Sequence, residues 1–370
     1  MTSSRRQFIK AGVLGSAAIA TTGIPQAASS REKMAKPLNV LILGGTGFLG
    51  PHMVRETLRR GHTVTLFNRG RSNSTLFPDL ETIKGDRDKG LDGLKGRRWD
   101  AVIDNSGYVP RHVADSARLL APNTDRYVYT STVSVYADFK IHNVESSPLG
   151  TIADESVEEV TGETYGPLKA LCEKRCEAEI AADKLTIVRP TYVCGPGDHT
   201  DRFSWWPIRV RRGGEMIWPG TPKDVIQIID VRDLANFTLD CVDGDISGVF
   251  NAVNRAGEYT MGDLLADSEA VSATTVDPHW ISEAFAYKHE VAGSRELPIW
   301  NPTSGENGGS GTFSGEAARA AGLHNRPERE TARDVLTWWD TRSEERQENM
   351  TSGMSAEREA ELVAAWKAAH

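Results

Sequence analysis

A tyrosine and a lysine four residues apart on a helix form a proton-transfer pair. Both side chains leave one face, and an ammonium beside a phenol draws the phenol's pKa down from about 10. The sequence offers two such pairs, Tyr136…Lys140 and Tyr165…Lys169. Their surroundings separate them. Tyr136 closes a β-like run and precedes Ala137-Asp138-Phe139, where nothing reads as helix. Tyr165 opens Gly166-Pro167-Leu168-Lys169-Ala170-Leu171-Cys172-Glu173-Lys174, which reads as a long helix with proline in its first turn. Tyr165 and Lys169 are the candidate acid/base pair.

A second group of residues reads as a phosphate cradle. Leu38 to Leu43 is a short apolar run, followed by Gly44-Gly45-Thr46-Gly47-Phe48-Leu49-Gly50 and then by a helix from Pro51 to Arg60 that Gly61 ends. Strand, glycine turn and helix in that order bind dinucleotides. Gly44 and Gly47 let the backbone turn tightly and approach a pyrophosphate, Gly50 lets the helix pack on the strand, and the helix N-terminus offers unpaired N–H groups. Further strands at Thr63–Phe67, Asp100–Asp104 and Tyr127–Thr132 recur with helix-length gaps. That spacing predicts an α/β fold, a Rossmann-type doubly wound parallel sheet with a smaller C-terminal substrate-binding region. After the second strand comes Phe67-Asn68-Arg69-Gly70-Arg71, with no acid for ribose hydroxyls and two arginines for a 2′-phosphate. NADP is favoured over NAD on that ground. The alternative is NAD held by Asn68 and backbone groups.

The G-x-x-G-x-x-G spacing, with the segments after it, resembles the extended short-chain dehydrogenase/reductase superfamily, and within it the NAD-dependent epimerase/dehydratase family. The likeness runs from about residue 38 to about residue 255, with weaker echoes to about residue 340. It implies that Asp86 and Arg87 form the adenine-contacting turn. It puts Ser106 beside Thr46, Phe48 and Leu49 among the cofactor contacts, along with Tyr165 and Lys169. It also implies that the Thr132 hydroxyl holds the reacting oxygen, with Ser131 and Ser134 as competing choices. Two diphosphate contacts of the family are missing: its asparagine is Tyr192 here, and its arginine aligns with Ile226. Desolvating a diphosphate without such partners is costly. The expected substrate is therefore sugar-like, a secondary alcohol or ketone without a nucleotide diphosphate. Tyr108, Tyr192, His199, Arg202, Trp205 and Trp206 are its expected walls, although Trp205-Trp206 reads equally well as core. Epimerase/dehydratase-type chemistry competes with a simple NADP-dependent dehydrogenase or reductase. A non-catalytic binder of the same fold is the alternative from another class, since the sequence also resembles a branch that includes chloroplast stem-loop RNA-binding proteins.

Composition bounds these readings. The chain has 370 residues, 39% hydrophobic and 25% charged, with net charge −8. These values exclude a disordered chain and a multi-span membrane protein, and they argue against nucleic acid as a partner. Four cysteines without a CxxC pair predict no metal site. Ser4-Arg5-Arg6-Gln7-Phe8-Ile9-Lys10 and the apolar run after it resemble a twin-arginine export signal over residues 1–30. That implies a passage through the translocation machinery and a periplasmic or extracellular location. The expected organisation is a dinucleotide-binding domain over 37–190, with 227–253 returning to it. A substrate-binding region follows over 191–226 and 254–340, and then a helical tail over 341–370. A loop over 301–315 reads as a lid, and a homodimer is the expected assembly.

Overall fold

The first strand already dictates helices on both sides of the sheet. The computed structural model describes residues 36–370, and the export signal read over residues 1–30 lies outside the described residues. In β1 (Asn39–Leu43), Val40 and Ile42 join one core and Leu41 and Leu43 another, and all four are fully buried. A strand apolar on both faces is stable only when both faces are covered, which is the condition for a parallel sheet. Ten more strands follow: β2 (Thr63–Asn68), β3 (Glu81–Lys84), β4 (Trp99–Asp104), β5 (Thr124–Thr130), β6 (Leu185–Pro190), β7 (Tyr192–Cys194), β8 (Gly214–Pro219), β9 (Ile228–Asp230), β10 (Gly248–Ala252) and β11 (Val276–Ile281). Seven of them form one parallel sheet in the order β10-β6-β5-β4-β1-β2-β3. This is the Rossmann-type arrangement. The order reverses beside β1, which leaves a crevice over the strand C-termini.

Helices α1 (Leu49–Arg59), α2 (Pro110–Leu120), α3 (Tyr165–Glu179), α4 (Trp205–Val210), α5 (Val231–Asp243) and α6 (Met261–Ser272) come next. α1 packs with α5 over the Val40/Ile42 face, and α2 with α3 over the Leu41/Leu43 face. β7 pairs with β9 and β8 with β11, both parallel. Around the latter pair lies a separate core built on Trp205, Trp206, Trp218 and Trp300, all 0–2% exposed. The reading of Trp205 and Trp206 as walls of the site is therefore corrected. Trp206 meets Trp218 at 4.6 Å between ring centroids and donates from Nε1 to the Pro298 carbonyl at 3.1 Å. A buried ring of this size removes about 150–250 Å² from water, and α4 delivers both tryptophans into the core rather than into the crevice.

The tail is fastened to this second core. Ser355 caps the helix Ala356–Ala369 by accepting the Arg358 N–H, and Glu359 forms a buried ion pair with Arg209 at 2.6 Å. Asp201 is fully buried, binds Arg346 at 2.6 Å and accepts the Thr351 N–H at 2.7 Å. Ser352 donates to the Thr200 carbonyl and Thr351 to the His199 carbonyl. Among the described residues no helix is long and apolar enough to cross a membrane.

Candidate active site

The three glycines of the first turn have three different jobs. Gly44 leaves β1 at φ +90°, and a Cβ there would stand 2.8 Å from the Ser106 Cβ. At Gly50 a Cβ would stand 2.3 Å from the Gly44 carbonyl oxygen. At Gly47 it would meet nothing within 4 Å. Chain packing requires the first and third, whereas the second leaves an open approach to the backbone. α1 begins with no side-chain cap and no acid in its first turn. Its leading N–H groups and its dipole are therefore free to meet an anion.

A cavity of about 830 Å³ runs along the C-terminal edge of the sheet, and Gly44, Thr46, Gly47, Phe48, Leu49 and Gly50 line one end. Asn68, Arg69 and Arg71 line it at the end of β2, with both arginines exposed at the rim. The Asn68 side chain accepts the Gly70 N–H at 2.8 Å, which shapes that loop. Asp86 and Arg87 follow β3 and also line the cavity. The Asp86 carboxylate accepts the Asp88 N–H, and Arg87 turns inward to pair with Asp104 at 2.6 Å. Ser106 donates its N–H to Asp104 as well. Among the described residues, Arg87 Nη1 and Asn105 Nδ2 are buried donors without a partner, and both residues line the cavity. Unmet donors, a free helix end and an unfilled position at Gly47 together fit a dinucleotide.

The reacting groups stand at the other end of that cavity. Thr132 follows β5, and its Oγ1 accepts the Ser134 N–H at 3.1 Å. Tyr165 opens α3 and lines the cavity beside Thr132. Burial raises the Tyr165 pKa above its ordinary value, and the Thr132 hydroxyl and the positive charge of Arg202 oppose that rise. Lys169, 3% exposed, donates to the Gly107 carbonyl at 2.8 Å and the Thr130 carbonyl at 2.6 Å. Its ammonium also lies 4.3 Å from the Tyr129 ring and 5.3 Å from the Tyr108 ring. Burial lowers its pKa to about 8. Lys169, the expected partner of Tyr165, has its ammonium engaged with two backbone carbonyls as well. Arg202, from another segment of the chain, adds a positive charge that acts against the rise of the Tyr165 pKa.

Ser131 and the second tyrosine–lysine pair fall out by their partners, whereas Ser134 lines the cavity beside Thr132. The Ser131 hydroxyl donates to Glu173, itself ion-paired with Arg189 at 2.6 Å in the interior. Tyr136 is buried and donates to Asn251, while Lys140 is exposed on Glu306, so they form no pair.

On the substrate side, Tyr108, Tyr192, His199 and Arg202 line the cavity, whereas Ile226 lies in the tryptophan core. The Tyr108 and Tyr165 rings are 6.4 Å apart between centroids. Sequence reasoning missed Phe139 and Phe313, which also line the cavity. The 301–315 segment carries a short 3₁₀ turn at Gly305–Asn307, and Gln227 holds it by exchanging hydrogen bonds with both Phe313 backbone groups. Its Asn, Gly and Ser content marked it as a loop, but nothing in the sequence marked Phe139.

A parallel sheet with a glycine turn at one end of its crevice and threonine, tyrosine and lysine at the other defines a short-chain dehydrogenase/reductase-type fold. The chain belongs to the NAD dependent epimerase/dehydratase family, whose sequence profile matches residues 40–103 and 93–251, more than half its length. It is 27% identical over 268 residues to the chloroplast stem-loop binding protein of 41 kDa b of Arabidopsis thaliana, covering 68% of this chain and 66% of that one. It is 30% identical over 223 residues to the 2-alkyl-3-oxoalkanoate reductase of Stenotrophomonas maltophilia, covering 54% and 64%. The chain thus spans just under two thirds of the length of these two relatives. Among solved structures, the Bordetella bronchiseptica enzyme WbmG in complex with NAD and UDP superposes with a TM-score of 0.61 at 16% identity, covering 82% of this chain and 96% of that one.

Proposed function

We propose that this protein is a NAD(P)-dependent enzyme that interconverts a secondary alcohol and a ketone on a sugar-like substrate without a nucleotide diphosphate. The observation that carries the proposal is the placing of Thr132, Tyr165 and Lys169 together on the cavity that the glycine turn opens. A bound dinucleotide supplies the acceptor and donor of hydride. WbmG, of like fold, was solved with NAD. The exposed Arg69 and Arg71 support NADP here.

The chain's own residues handle the proton. With its pKa held up by burial, Tyr165 rests as the phenol, the form that donates a proton to a ketone oxygen as the alcohol forms. In the other direction the hydroxyl proton passes to the phenolate, which the Thr132 hydroxyl and the Arg202 charge favour. Thr132 holds the same oxygen. Lys169 fixes the backbone after β4 and β5 through the Gly107 and Thr130 carbonyls, and with it the floor under the reacting groups. Tyr192 and the buried Ile226 leave the family's two diphosphate positions without a donor pair, which supports a substrate lacking that group. Epimerisation is the favoured form, because hydride then returns and no fresh cofactor is consumed after export. Net reduction is the second reading, favoured by the reductase relative.

The test is Tyr165→Phe. The variant retains its dinucleotide, measured by mass spectrometry of the denatured protein, and loses turnover on free sugars and polyols by at least about a hundredfold. Unchanged turnover, or a wild type that neither carries nor binds NAD or NADP, overturns the proposal. In the latter case a non-catalytic binder is the better reading.

A further inference from the structure

Arg202 faces the cavity and is held in place at its base. Its Nε donates to Thr200 Oγ1 at 3.1 Å. Thr200 is itself fixed, since its hydroxyl and N–H both go to the Asp198 carboxylate, at 2.7 and 2.8 Å. The guanidinium then lies over the Tyr192 ring, 5.0 Å from its centroid. The adjacent acid, Asp201, is committed to Arg346 and the Thr351 N–H. Among the described residues no carboxylate lies within 4.0 Å of the Arg202 guanidinium, and its two terminal nitrogens have no protein acceptor. Asp198, buried and held above the ordinary carboxylate range by that burial, feels the Arg202 charge only across Thr200. A cation fixed at one end, backed by an aromatic face and open at its fork, is built for a planar anion.

The position of the anion follows from its neighbours. Arg202, Tyr192 and Tyr165 line one cavity, and the fork opens into it. Arg69 and Arg71 line the opposite end of the cavity, at the end of β2. We infer that the substrate carries a carboxylate, held in a bidentate pair by Arg202 against the Tyr192 ring. The chemical class is a hydroxy or keto acid of the sugar series, such as a uronate or an aldonate. The inference rests on the proposed function and adds the anion to it.

Calorimetric titration of the dinucleotide-loaded protein tests this, using monosaccharides each paired with its own uronate or aldonate, with UDP-glucose as a further probe. In the wild type an acid binds at least about tenfold tighter than its neutral partner. Arg202→Met loses that advantage by about tenfold to a hundredfold, and Arg202→Lys keeps part of it, because it retains the charge and loses the fork. Dinucleotide content, read by mass spectrometry, is unchanged in both variants. No preference for the acid anywhere in the panel overturns the inference and leaves the proposed function standing. Loss of dinucleotide in Arg202→Met also overturns it, by making Arg202 a cofactor contact. UDP-glucose binding that depends on Arg202 overturns both.

Discussion

Lys169 titrates inside the fold, and its titration leaves a mark on stability. The side chain is 3% exposed, and burial lowers its pKa from 10.5 to about 8. Between these two values the unfolded chain holds a proton that the folded chain has released. The free energy of unfolding therefore rises with pH across that window and is insensitive to this group below about pH 8. At 1.36 kcal/mol per pKa unit the full rise is about 3 kcal/mol. Lys169→Met keeps the length of the side chain and removes the titration. It also strips the Gly107 and Thr130 carbonyls of a donor at every pH, which offsets the whole curve but not its slope. Urea denaturation of both proteins from about pH 7.5 to about pH 10.5 isolates the effect, since every other titrating group is shared. Wild-type stability minus that of Lys169→Met should grow by about 3 kcal/mol as pH rises. A flat difference would mean that Lys169 has an ordinary pKa and that its burial has no electrostatic cost. A falling difference would mean that the two carbonyls favour the ammonium more than burial opposes it.

Four further predictions rest on the same geometry. Gly50→Ala forces a Cβ to within 2.3 Å of a backbone oxygen with no flexible end to yield, and should cost about 1–3 kcal/mol in thermal denaturation. Gly47→Ala meets open space, should stay within about 0.5 kcal/mol of wild type, and should nonetheless weaken dinucleotide binding, read by fluorescence titration. Glu173→Ala leaves Arg189 buried without its carboxylate and Ser131 without its acceptor, and should cost about 3–5 kcal/mol by urea denaturation. Replacing Arg69 and Arg71 together by alanine should weaken NADP binding far more than NAD binding, and equal weakening would mean that neither arginine reads the 2′-phosphate.

Much of the sheet was legible because its signals are local. β1, β2 and β4 announce themselves by apolar runs, and the glycine turn by its spacing and its flanks. α3 was readable from Pro167 and the helical run after it, and that places Tyr165 and Lys169 together on the cavity. What failed depended on contacts far apart in the chain. Side-chain periodicity says that Lys169 shares a face with Tyr165, but the carbonyls that receive its ammonium come from Gly107 and Thr130. Trp205-Trp206 sits where substrate loops begin, yet the residues that bury it come from Trp218, Trp300 and the tail. Phe139 and Phe313 meet edge-on, 6.2 Å between centroids across 174 residues of chain, and neither segment carries a pattern that announces the other.

The segment bearing His199 and Arg202 is tied down by Arg346, Thr351 and Ser352. On the ribosome this imposes an order in time. The glycine turn and strands β1 to β5 emerge earlier, with Thr132 directly after them. The wall of the second compartment is fastened only when Arg346, Thr351 and Ser352, about 150 residues further along the chain, have left the exit tunnel. The strands that carry the glycine turn are thus made well before the segment that fastens the wall of the second compartment.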